Sequence, residues 1–167
     1  DGWTLDAAEA VATDDRLPVN SVFDALDRLV DHSLVQVEDT HGGSRFRMLE
    51  TVTQFARRLV AVDLDDQRAV RDRHARFFQS ELVLFDAGGG PTTLTALGDR
   101  LVPDEENIRA AFDHLLTIDD TAAASAMLLP YLGLFERHLS MMRMCTALID
   151  RPDVAGTRVE DRAIKVA

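Results

Sequence analysis

Apolar and polar residues change period several times along the chain, and each change marks an element. LDAAEAVA at 5–12 is dense in strong helix formers, with Thr4 placed to cap its first turn. DDRLP breaks that helix, and Pro18 suits the first turn of the next, where Val19, Val22, Phe23, Leu26, Leu29 and Val30 follow the i, i+3, i+4, i+7 rule. The period then shortens to two. Leu34 to Glu38 and Arg45 to Met48 alternate around DTHGGS, whose glycines supply the positive φ that a hairpin turn requires. In RFRMLETVTQFARRL the alternation of Phe46 and Met48 passes directly into Val52, Phe55, Ala56 and Leu59 at helical spacing, so a strand runs into a helix that reaches about Val62.

Beyond this point the pattern is helical throughout. After DLDD a helix runs to about Phe85, with Val70, His74, Phe77, Phe78, Leu82 and Phe85 on one face, until GGGP at 88–91 stops it. A short helix covers 95–102. Pro103 with Asp104, Glu105 and Glu106 opens the next, whose buried stripe is Ile108, Ala111, Phe112, Leu115 and Leu116. Helices at about 120–137, 139–150 and 157–167 follow, and Pro130 is expected to kink or split the first of these because its ring displaces a carbonyl of the preceding turn. Helix, helix, hairpin, helix is the order of a winged helix, whose usual first helix would lie upstream of Asp1. The expected fold is mainly α: a winged helix (helices plus one β-hairpin) over 1–62, then an antiparallel, tetratricopeptide-like α-helical array over 63–167. No internal repeat is sharp enough to prove the solenoid.

Composition narrows the function. A chain of 167 residues buries roughly 70% of its unfolded surface, and 46% apolar with 28% charged residues is the balance of a soluble globular protein. No run approaches the roughly 20 apolar residues of a membrane span, so no membrane partner is expected. The lone Cys145 excludes an intrachain disulfide and points to a reducing compartment, the cytoplasm. A first residue that is not Met and a last segment that stops inside a helical pattern suggest a piece of a longer protein. The net charge of -11, with Lys165 the single lysine, weighs against nucleic acid, because nonspecific DNA affinity comes from Lys and Arg neutralising phosphates.

Four segments, DGWTLDAAEAV, LDRLVDHSLVQVE, FRMLETVTQFARRL with the following RDRHARFF, and PDEENIRAAFDHLL, occupy about the first two thirds of the chain. In this order they resemble the signal-transduction ATPases with numerous domains, in particular the large actinobacterial LuxR-type transcriptional regulators, some of which carry an N-terminal cyclase domain. The resemblance implies a winged helix placed after a P-loop nucleotide-binding domain, a tetratricopeptide-like array behind it, and a DNA-binding domain further on. ATP or ADP is then the cofactor of the parent protein, while this fragment carries none: GGGP lacks the Lys-Ser/Thr that would cradle phosphates. FRMLETVTQFA is similar to the Met-His-Asp segment that senses nucleotide in many of these ATPases. Met48 matches, and Leu49 and Glu50 stand where His and Asp would, which makes them the candidate cofactor-binding positions. Leucine neither donates to a phosphate nor carries charge, so the plainer reading of Leu49 is packing, in the core or toward another domain. Glu50 is then free to cap or orient the helix expected from Thr51.

No catalytic or metal site is expected. His32 ends a helix, His41 sits in the turn, and His74, His114 and His138 lie on separate helices, without metal-ligand spacing. The serines lack a nucleophile-elbow context, Met141, Met142 and Met144 read as gap-filling core, and Arg68, Arg71, Arg73 and Arg76 read as a solvated face. The helix that would enter a DNA groove carries Asp24, Asp27 and Asp31, with only Asn20 and Arg28 to help. Arg45 and Arg47 in the wing are the counterweight, and their plainer reading is an outward strand face. The leading expectation is a noncatalytic regulatory module. It packs on an upstream nucleotide-binding domain of the same chain, does not contact DNA directly, and relays nucleotide state to a helical array that receives a protein or small-molecule effector. The alternative is a DNA-binding winged-helix domain with a helical dimerisation extension.

Overall fold

In the computed structural model, which describes residues 2–40, 42–60, 64–86, 98–134, 139–151 and 154, Thr4 caps α1 (Leu5–Ala12) by accepting the Ala7 amide on Oγ1 at 3.2 Å. Pro18 is the N-cap of α2 (Val19–Asp31) rather than its first residue, in extended backbone with its carbonyl accepting from the Ser21 amide at 2.8 Å. At its other end α2 closes on Ser33, held at φ 57, with the Ser33 amide donating to Val30 and the Leu34 amide to Leu29 at 2.8 and 2.9 Å. This is the left-handed cap that turns the chain from a helix into a strand.

The strands are longer than the alternation predicts. β1 (Val35–Thr40) pairs antiparallel with β2 (Gly43–Met48), from Val35 opposite Met48 to Thr40 opposite Gly43. Gly43, which opens β2 opposite Thr40, has φ 111, a conformation glycine adopts without strain. A further extended residue, Trp3, bridges Phe46 through two backbone hydrogen bonds of 2.8 and 2.9 Å and stacks its ring on the Phe46 ring at 6.5 Å. The periodicity did not reveal this contact, because one bridging residue has no period. Val22, Leu26, Val35 and Phe46 form the buried core of this part, with Trp3, Leu5, Ala8, Leu17, Leu29, Val30 and Met48 packed around it.

The helix after the wing, α3, spans Glu50–Val60, and α4 spans Leu64–Asp86. Arg73 on α4 donates from Nε to the Val11 carbonyl at 2.7 Å, and Asp66 accepts from Arg16 at 2.6 Å, which ties the start of α4 to α1 and its following turn. The chain divides into two compact units, Asp1–Phe77 and Phe78–Ala167. In the second, a 3-10 turn at Val102–Asp104 leads into α5 (Glu105–Thr117), followed by α6 (Thr121–Leu134) and α7 (Leu139–Ile149). Asp119 at φ 60 ends α5 as Ser33 ends α2, and Asp120 then caps α6 by accepting the Ala123 amide at 3.1 Å. Ile108, Ala111, Phe112 and Leu115 are buried as their spacing predicts, and so are Met127, Leu128 and Tyr131 of α6 and Met144, Cys145 and Leu148 of α7.

Pro130 does not split its helix. α6 continues through it, and the carbonyl that loses a donor belongs to Ala126, an exposed position where solvent can replace the missing bond. The GGGP loop and the expected helix at 157–167 lie outside the described residues, as do parts of the 95–102 and 120–137 expectations.

Candidate nucleic-acid interface

The turn between α1 and α2 sets the angle at which α2 is presented. Asp14 organises it: one carboxylate oxygen accepts the backbone amides of Arg16 and Leu17, each at 2.8 Å, while the Asp14 amide donates to the Leu17 carbonyl at 3.1 Å. The amide of Leu17, then that of Arg16, and the Arg16 guanidinium hold the Asp14 carboxyl below its ordinary value. Leu17 is thereby fixed against the core, and Pro18 launches the helix.

With Val22 and Leu26 turned inward, the opposite face of α2 is open to solvent. Asn20, Asp24, Asp27 and Asp31 run along its middle and Arg28 lies on one flank, while Val19 and Phe23, 51% and 54% exposed, continue the stripe of Leu26 and Val30 toward the start of the helix. Val19 and Phe23 keep the helical period noted in the sequence but are exposed where a stripe of that period is usually buried. That stripe is narrower than six residues because the core of this unit closes over Val22 and Leu26, with Leu29 and Val30 at its margin.

The wing presents Gln36 and Arg47, opposite each other in the ladder and both exposed. Arg45 does not join them. It is 8% exposed and donates from Nη2 to the Gly2 carbonyl at 3.2 Å, because the segment bridged to β2 at Trp3 lies beside it. The outward-face reading therefore holds for Arg47 alone. At the wing tip Thr40 donates to the Gly43 carbonyl at 2.7 Å and Ser44 to Asp39 at 2.9 Å, so the hairpin is braced by its own side chains.

Leu49 and Glu50 stand where β2 gives way to α3. The Leu49 carbonyl accepts from both the amide and the hydroxyl of Thr53, at 2.8 and 3.1 Å, and its side chain is 42% exposed. Leu49 is not core in this chain. Glu50 is the first residue of α3, one earlier than predicted, and its carboxylate accepts from the Gln54 amide at 3.0 Å at the positive end of the helix dipole. Phe55 and Leu59 on α3 are 62% and 61% exposed, so the amphipathic stripe there is only half used. Among the described residues, no group of three or more His, Cys, Asp or Glu side chains could hold a metal ion, and no helix is long and apolar enough to cross a membrane.

Residues 2–61 match the family described as a winged helix-turn-helix domain. Over 113 residues, 66% of this chain, the sequence is 34% identical to proteins of Mycobacterium bovis and Mycobacterium tuberculosis that each bear the name "Putative HTH-type transcriptional regulator". The chain spans 12% of the length of these curated relatives. No solved structure matches it. The domain match overturns the expectation that this fragment makes no direct contact with DNA. Net charge sums over 167 residues, whereas a winged helix-turn-helix meets a duplex with one helix face and a wing, and a carboxylate on that helix can accept from a cytosine amino group.

Proposed function

We propose that the chain is a noncatalytic, DNA-binding piece of a transcriptional regulator, with residues 1–62 as the winged-helix reader and residues 63–167 as a helical extension. The match over residues 2–61 carries this reading. The geometry that supports it is the free outer face of α2 beside a braced wing, with Asn20 and Arg28 available to base edges and Arg47 to a phosphate. The acidic middle of α2 repels phosphates, so base contacts rather than counterion release must supply the larger share of affinity.

Selection of duplexes from a random pool, followed by titration at several salt concentrations, tests the proposal. The expected result is enrichment of a defined site, bound with a shallow salt slope. Arg47→Ala should weaken all sequences alike and reduce that slope by about one. If no sequence is enriched and no binding appears at low salt, the reading fails.

A second reading concerns the parent protein, and the exposure of Leu49 favours it. A surface leucine beside Glu50, at the start of a helix whose Phe55 and Leu59 are also exposed, suits contact with another domain. In this reading ATP or ADP held by that domain biases the module through Leu49 and Glu50, and the helical extension receives the effector. An equilibrium of this kind shifts only through contacts that differ between its two states. Nucleotide affinities of the full-length protein with Leu49 and with Leu49→His test it: unchanged affinities for ATP and ADP would remove Leu49 from any nucleotide-facing role.

A further inference from the structure

The last turn of α1 carries no basic residue of its own, although the final carbonyls of a helix lack intrahelical donors and form the negative end of its dipole. Two side chains supply what is missing. The Thr13 hydroxyl donates to the Glu9 carbonyl at 2.6 Å, and Arg73 on α4, 62 residues beyond Val11, donates from Nε to the Val11 carbonyl at 2.7 Å. A guanidinium holds its donors in a rigid planar fork, so a short bond from the half-buried Arg73 fixes the direction of approach as well as the distance. Two turns earlier on α4, Asp66 accepts from Arg16 at 2.6 Å, and Arg16 also donates to Asp14 at 3.3 Å. The Arg16 side chain is 69% exposed, so solvent screens these ion pairs and they contribute little alone. Val11 and Arg16 lie on either side of Asp14, whose carboxylate accepts the amides that fix Leu17 ahead of α2. The firm hold on this turn from α4 is therefore the bond from Arg73.

We infer that Arg73 is a positioning residue for α2: it clamps the end of α1 from α4 and so sets how the outer face of α2 is presented to a duplex. The inference rests on the DNA-binding reading above. It deepens that reading by placing a determinant of the contact on a helix that carries none of the residues assigned to bases or phosphates.

Amide exchange and DNA titration on the same variants test it. Arg73→Met keeps an unbranched stem and removes the donor. The amides of Arg16 and Leu17 should then exchange about tenfold faster, while the Phe46 amide, bonded to Trp3 in the same unit, keeps its rate. Affinity for the selected duplex should fall by about tenfold, the worth of one hydrogen bond from a charged donor. Arg73→Lys, which keeps a charged donor, should recover part of both, and Asp66→Asn should move either by less than about threefold. If the Arg16 and Leu17 amides exchange in Arg73→Met as in the parent chain, the clamp is idle and the inference is overturned. An equal acceleration at Phe46 would make Arg73 a stabiliser of the whole unit, which also overturns it. Faster exchange in the turn with undiminished affinity overturns it while DNA binding stands. If the parent chain selects no duplex, the inference falls with the reading beneath it, and the exchange rates show that separately from any fault in the clamp.

Discussion

Gly2 shows how much of this fold rests on single backbone positions. Its φ is 102, and a Cβ there would stand 2.7 Å from the Phe46 carbonyl oxygen, the group that accepts the Trp3 amide in the bridge to β2. Gly2→Ala should therefore destabilise the first unit by about 1–3 kcal/mol, read as a lower urea midpoint; an unchanged midpoint would show that the bridge contributes little. Ser33 is the opposite case, a side chain held at φ 57 where glycine is at ease. Ser33→Gly should raise stability by about 0.5–1 kcal/mol in the same measurement, and a loss would mean that the serine side chain supplies something its backbone does not. Neither position is readable from periodicity. A strained or left-handed residue has no neighbours that repeat, and DGW and DHSL look like ordinary polar breaks until the hydrogen bonds around them are seen.

The helices and the hairpin were legible in the sequence because each buries one face, so burial writes a period of 3.6 or 2.0 into the residues. Val22, Leu26, Ile108, Phe112 and Leu115 sit where that logic places them, and Thr4 caps α1 as its residue type predicts. The failures share a cause too. Val19, Phe23, Phe55 and Leu59 keep the period of a buried stripe but are exposed, which is the pattern of a face meant for something other than this chain's own core. The period says that a face is apolar and not what covers it, so the exposure of Val19 and Phe23 is not readable from it. The connection between α1 and α2 is read better from chemistry: an aspartate three residues before a leucine and four before a proline is a turn with a mechanism. Because backbone amides lower the Asp14 carboxyl, its contribution to stability is present above the ordinary aspartate value of about 4 and is lost as pH falls through the lower folded-state value. Asp14→Asn keeps an acceptor but no charge. Its melting temperature should lie below that of the parent chain at pH 7, and the gap should narrow as the pH drops below about 4. A gap of constant size from pH 7 to pH 3 would separate the charge from the turn.

For the molecule as a whole, two compact units and one cysteine provide an internal clock for the second unit. Cys145 is the only cysteine of the chain and is fully buried on α7. Burial also pushes its thiol above the ordinary value, so the thiolate, which is the reacting species, is scarce near neutral pH even before access is considered. Reaction with a thiol reagent then requires that the packing of α7 open, and its rate follows the population of the open form when opening and closing are fast. The native chain at pH 7.5 should remain unlabelled over a time in which the urea-unfolded chain reacts fully. Leu148→Ala removes a fully buried side chain one turn away, at a cost of about 2–5 kcal/mol. It should raise the labelling rate roughly thirtyfold or more, since 2 kcal/mol multiplies the open population by about that factor. Rapid labelling of the native parent chain would mean that α7 is held less firmly than its burial implies. Equal slow rates in both chains would mean that reagent reaches Cys145 by a motion that leaves the Leu148 contacts intact.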